Sequence, residues 1–212
     1  MRKITLAAIM ALFSFTSVSA GPGINVGVSG HIGLFTASAK EVADETHSGS
    51  EHGEAAWSSL FIEKTLGDRL AIGIDYVPDA LESETTESTK HDITTSTAAT
   101  SKTNKVQIDF EDLTTYYLAL NVTDNLYFKV GSVTVDVITN ESLGTGSEYG
   151  NTDLDGTMWG VGYNKSFDNT TFIRFEGNYM AFDGTSLSSA DNKITLKNLD
   201  GVSGKLSIGK SF

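Results

Sequence analysis

From residue 24 onward the chain alternates between apolar and small or polar residues with a period of two, and a helical period is hard to find. A first strand is predicted over residues 24–37. Ile24, Val26, Val28, Ile32 and Leu34 share one face, and Asn25, Gly27, Ser29, His31 and Gly33 the other. A second, over 55–66, sets Leu60, Ile62 and Leu66 against Ser59 and Glu63. In the third, Leu70, Ile72, Ile74 and Tyr76 alternate with Ala71, Gly73, Asp75 and Val77 before Pro78 ends it.

The fourth strand, over 106–122, gives Val106, Ile108, Phe110, Tyr116, Leu118, Leu120 and Val122 one parity. Asp109, Glu111, Tyr117 and Ala119 take the other. The fifth runs Leu126, Phe128, Val130 and then shifts to Val133, Val135, Val137, which predicts a β-bulge near Gly131 or Ser132. The sixth alternates Trp159, Val161 and Tyr163 with Gly160, Gly162 and Asn164. The seventh alternates Ile173, Phe175 and Tyr179 with Arg174, Glu176 and Asn178. The eighth starts as early as Ile194 and closes on Val202, Gly204, Leu206, Ile208, Lys210 and Phe212.

The connections add a second pattern. Long linkers follow strands one, three, five and seven, at residues 38–54, 79–105, 139–155 and 183–193. Tight turns follow strands two, four and six, at Gly67-Asp68-Arg69, Thr123-Asp124-Asn125 and Asp168-Asn169-Thr170. Short periplasmic turns alternating with longer external loops are the habit of outer-membrane barrels. An even strand number then places both termini on the tight-turn side, the periplasm.

The second face of each strand is Gly, Ala, Ser, Thr and Asn with a few charges, which suits the crowded interior of a narrow barrel. A soluble ligand-binding barrel would carry many long polar side chains outside, and this chain has too few for that. The apolar face is therefore read as facing lipid. Tyr76, Trp159 and Tyr179 fall toward the long-loop end, and Phe128, Tyr163, Phe175 and Phe212 toward the tight turns. Two such groups match the aromatic girdles of membrane barrels. Trp57 falls on the inward parity and stands outside that scheme.

Composition sharpens this picture. Residues 1–20 read as a cleaved export signal: Arg2 and Lys3 lead an apolar stretch that ends at Val18-Ser19-Ala20. Residues 21–212 then form one β domain. The formal net charge is −12, and losing Arg2 and Lys3 takes it to −14, which excludes nucleic-acid binding through phosphates. There is no cysteine, so neither a lipid anchor nor a disulfide framework is available. No later stretch is long and apolar enough for a spanning helix, which leaves a closed barrel as the only way across a membrane.

With export, alternating strands and the ending at Leu206, Ile208 and Phe212, the chain resembles the small eight-stranded bacterial outer-membrane barrels: the OmpA transmembrane domain, OmpX and OmpW. The resemblance implies an antiparallel up-and-down transmembrane barrel, integral in the bacterial outer membrane. It also implies that the barrel-insertion machinery reads Leu206, Ile208 and Phe212 as a signal, with periplasmic chaperones acting before it. Lys210 departs from the usual ending, where an apolar residue is normal.

Parity places Glu63, Asp75, Asp109, Glu111, Lys129, Arg174, Glu176 and Lys205 inside the barrel. A buried charge without a partner is costly, so these residues are read as a mutually paired plug rather than an ion path. His31 points inward as a hydrogen-bonded residue. His47 and His52, with Glu45, Glu51 and Glu54, make a loop cluster without standard metal spacing. No Ser-His-acid arrangement is found, so no catalytic, cofactor or metal site is assigned. The second loop is rich in Ser, Thr, Glu and Asp, and the third carries Glu141, Glu148, Asp153 and Asp155 without Lys or Arg. This acidic surface points to lipopolysaccharide phosphates met through divalent cations, or to phage and cell-surface partners. The expected function is a non-enzymatic structural or surface-interaction barrel. The alternative is a narrow passive channel for ions or small amphipathic solutes, as the OmpW resemblance implies.

Overall fold

The computed structural model describes residues 23–42, 46–92, 100–142, 149–167, 170–189 and 192–212. The export signal at 1–20 and the turn at Asp168-Asn169 lie outside the described residues. The strands are β1 (Ile24–Val42), β2 (Thr46–Leu66), β3 (Leu70–Tyr76), β4 (Leu81–Glu82), β5 (Thr86–Asp92) and β6 (Thr100–Asn121). They continue as β7 (Leu126–Ser142), β8 (Thr152–Ser166), β9 (Thr171–Phe182), β10 (Thr185–Ser189) and β11 (Asn192–Ser211). Eight of them, β1-β2-β3-β6-β7-β8-β9-β11, form one antiparallel ring that closes where β1 pairs with β11. The short strands β4 and β5 pair with β6, and β10 with β11.

The alternating apolar face points outward. Ile72, Ile74, Leu118 and Leu120 are 40–50 % exposed, and Ile62, Val161, Phe175, Val202 and Leu206 are more so. In water such a band would be a severe aggregation liability. Facing hydrocarbon, it is the surface that holds a barrel in a bilayer. At the tight-turn end Gly67 turns with φ +68°, and β1 and β11 are tied by the Phe212 amide donating to the Ile24 carbonyl at 2.8 Å.

Several strands run well beyond the predicted ones. The first long linker is mostly ladder: β1 and β2 stay paired out to Val42 and Thr46. A spanning strand needs only about 9–11 residues. The remaining rungs stand outside the membrane, where both faces are solvated. Ser, Gly, His and Glu on both faces leave no apolar alternation to read.

Two expectations about parity are corrected. The predicted bulge near Gly131 is absent, since β7 pairs with β8 in unbroken register from Leu126↔Tyr163 to Val137↔Thr152. The bulge lies in β6, where the register with β7 shifts between Glu111 and Thr114 and Asp112 takes φ 52°. Asp is one of the few non-glycine residues that adopts this left-handed conformation readily. Here its carboxylate accepts a 2.6 Å bond from the Tyr76 hydroxyl. Beyond the bulge, Ile108 and Phe110 pack against the interior, while Tyr116, Leu118 and Leu120 face out. The apolar residues of both strands thus change sides at one height, by a bulge in β6 and by composition alone in β7.

Candidate functional site

The half of the interior nearest the tight turns is a polar plug. Glu63 on β2 takes a bidentate bond from Arg174 on β9, at 2.9 and 2.8 Å. It also accepts from Asn25 Nδ2 at 2.8 Å and from the Tyr117 hydroxyl at 3.2 Å. Glu176 accepts from Lys129 Nζ at 2.6 Å and from the Tyr127 hydroxyl at 2.5 Å. Lys205 donates to Asp75 and stands 3.8 Å from Glu176. The Arg174 guanidinium also sits 4.5 Å from the Phe172 ring centre and 5.5 Å from that of Tyr127. Gly73 and Gly162 leave the space that the Tyr117 and Tyr127 rings occupy, because a Cβ at either would collide with them. Three acids (Glu63, Asp75, Glu176) meet three bases (Lys129, Arg174, Lys205), so the plug is formally neutral.

Six of the eight residues that parity placed inside are therefore brought together. Asp109 and Glu111 are not among them. The bulge at Asp112 reverses the parity of β6, so Glu111 is exposed on the outer surface and Asp109 bonds there to Asn140 Nδ2 at 2.5 Å. Leu206 and Ile208 lie on the outer face, and Phe212 is half-buried with Lys210 over its ring at 5.4 Å. His31 stacks on Trp57, with centroids 4.9 Å apart, and its Nε2 lies 2.8 Å from Ser59 Oγ. His52 Nδ1 meets Thr36 Oγ1 at 3.0 Å on the outside, while the His47 side chain lies outside the described residues. Among the described residues no group of three His, Asp or Glu is placed to hold a metal ion.

Above the plug the interior turns apolar, a feature the sequence reading missed. Val133, Val135, Val137, Leu154, Met158, Met180, Phe182 and Leu199 are buried there with Trp57, Val77 and Leu113. Within this half lies a chamber of about 170 Å³, walled by Phe35, Leu81, Phe110, Leu113, Val135, Phe182 and Leu199. The signal for it was the triplet Val133, Val135, Val137. An interior valine row gives the same alternation as a lipid-facing one, so sequence cannot tell them apart without the register.

The chamber reaches the barrel wall at a break in the hydrogen bonding. The last rung between β2 and β3 is Leu60↔Tyr76. Among the described residues, β2 past this rung pairs only with β1, and β4 and β5 pair only with β6. Gly53, Glu54 and Ala55 on one side of this seam and Leu81, Glu82 and Ser83 on the other line the chamber.

The outer surface at this height is acidic. Glu111, Asp136 and Asp153 stand directly opposite one another on β6, β7 and β8, all three exposed. Asp109 faces Glu82 in the same way. Like charges directly opposed across strands are destabilising, so this row calls for a counter-charge.

No protein-family profile matches the chain, and no curated protein does. Solved structures do. The outer-membrane protein AlkL, determined in lipid bilayers, is 11 % identical, with 94 % of this chain and 95 % of that one covered at a TM-score of 0.53. The outer-membrane protease OmpT of Escherichia coli is 10 % identical, covers 94 % and 100 %, and has a TM-score of 0.48. The attachment invasion locus protein Ail of Yersinia pestis is 11 % identical, covers 88 % and 99 %, and has a TM-score of 0.39. At these identities the likeness is one of fold, and it rests on AlkL. The closed ring, the lipid-facing band and this likeness define the chain as a bacterial outer-membrane β-barrel.

Proposed function

We propose that this barrel is a non-enzymatic outer-membrane protein whose outer half takes up small apolar or amphipathic solutes. The plug-filled half, in this reading, stops ions and water. The observation that carries the proposal is the apolar chamber resting on a charge-balanced plug. An apolar protein cavity of roughly 150 Å³ stays dry and binds benzene, so the chamber is of the right size for a single ring. The seam between β2 and β4 supplies an opening at the outer edge of the lipid band. Ile24 and Phe212 meet at the tight-turn end, and assigning that end to the periplasm turns the chamber outward. The ion-channel alternative has less support, because Arg174 and Lys129 are each held by a carboxylate. The test is ¹⁹F NMR of fluorobenzene with the barrel in lipid nanodiscs, alongside planar-bilayer recording. Wild type is expected to bind the probe, Val135→Phe to fill the chamber and lose it, and neither to conduct steadily. Equal binding by both proteins, or a steady open state, would refute the proposal.

A second reading is carried by the acidic row. Lipopolysaccharide phosphates bridged by divalent cations would supply a counter-charge to Glu111, Asp136 and Asp153 across β6–β8. Thermal stability in lipopolysaccharide should then drop on adding a chelator, and the drop should vanish in Asp136→Asn. A chelator effect equal in both proteins would remove this reading.

A further inference from the structure

Directly beneath the chamber, at the top of the plug, lies a second and much smaller cavity of about 30 Å³. Its lining mixes apolar side chains (Trp57, Val77, Leu113, Met158, Met180) with polar ones (His31, Asp75, Thr115, Lys129, Asn178, Ser203, Lys205). Leu113 lines both spaces. Three buried polar atoms of these lining residues have no hydrogen-bond partner among the described residues: His31 Nδ1, Asn178 Oδ1 and Ser203 Oγ. Ser203 pairs in register with Asn178 on β9, and His31 on β1 pairs with Lys205, one inward-facing position nearer the tight turns, so the three come from adjoining strands. Every other polar group of the plug discussed above has a partner. Leaving a buried polar atom unpaired costs about 1–3 kcal/mol, so three in one cavity point to a ligand group that belongs there.

We infer that this cavity is a recognition site for a neutral hydroxyl group, carried by a solute whose apolar body lies in the chamber above. The inference rests on the solute-uptake reading and narrows its substrate class to small alcohols and phenols. Three observations select a hydroxyl. The volume fits one such group and little more. The plug below is formally neutral, so a charged head would arrive without a counter-ion. A hydroxyl both donates and accepts, and so matches a lining that offers an unpaired hydroxyl at Ser203 and an unpaired acceptor at Asn178. Leu113, which lines both spaces, stands between body and head, with Met158 and Met180 beside it in the smaller cavity. Methionine's unbranched chain adapts its shape cheaply, which lets a head group pass.

Water presents the same chemistry, and a matched pair of probes separates the two sources. In nanodisc-embedded full-length protein, 4-fluorobenzyl alcohol and 4-fluorotoluene differ by the hydroxyl alone. The alcohol is expected to bind about tenfold more tightly in wild type, since a site built to hydrogen-bond a hydroxyl discriminates against the analogue lacking it. Ser203→Ala should bring the two affinities together while leaving 4-fluorotoluene unchanged. Leu113→Ala, which truncates the side chain between body and head without touching the polar atoms, should keep the preference and speed exchange of the alcohol. If both probes bind wild type equally, a retained water holds the polar atoms and the inference fails while the chamber reading stands. If neither binds, both fail.

Discussion

At the residue scale the plug is held by pairs whose members cannot be removed singly. Arg174 and Glu63 share two hydrogen bonds with side chains only 12 % and 3 % exposed. Removing one partner of such a buried pair costs about 3–5 kcal/mol, because the other charge stays behind, whereas replacing both with apolar groups is often close to neutral. Arg174→Met is therefore expected to lower stability by about that amount, and Glu63→Met with Arg174→Met to recover most of it. Urea unfolding in lipid vesicles reads both. A single variant as stable as wild type would mean that the pair does not anchor the plug. Asp112 matters for another reason. Its φ of 52° moves Glu111 to the outside and Phe110 to the inside, and so helps to build the chamber wall.

At the scale of elements, the eight ring strands were legible because each spanning segment buries nothing on its outer face and must present that face to lipid. Ile72, Ile74, Leu118 and Leu120 announced their orientation by spacing alone. The six plug residues were legible too, being charges on the small-residue face. Two things were not. Strand extensions outside the bilayer have water on both faces, so their composition carries no period. The apolar outer half of the interior was hidden because Val133, Val135 and Val137 were compatible with a bulged lipid-facing strand. A single bulge one strand earlier decided the matter, and bulges leave little trace in sequence beyond a residue that tolerates left-handed φ.

At the scale of the whole molecule, two zones stack along the barrel axis, a polar plug and an apolar chamber, and an acidic row lies on the outer surface at the height of the chamber. The band of apolar side chains around the outside fixes their height in the membrane. Everything proposed for the chamber depends on that band meeting hydrocarbon while the charged face fills the cylinder. The two tryptophans report on this directly. Trp159 faces out at 49 % exposure, and Trp57 faces in at 8 %. In vesicles of lipid brominated on the acyl chains, Trp57→Phe leaves Trp159 as the only tryptophan, and its fluorescence should be strongly quenched. Trp159→Phe leaves Trp57, which should be spared. Quenching of Trp57 with protection of Trp159 would contradict the inside-out assignment on which the account stands.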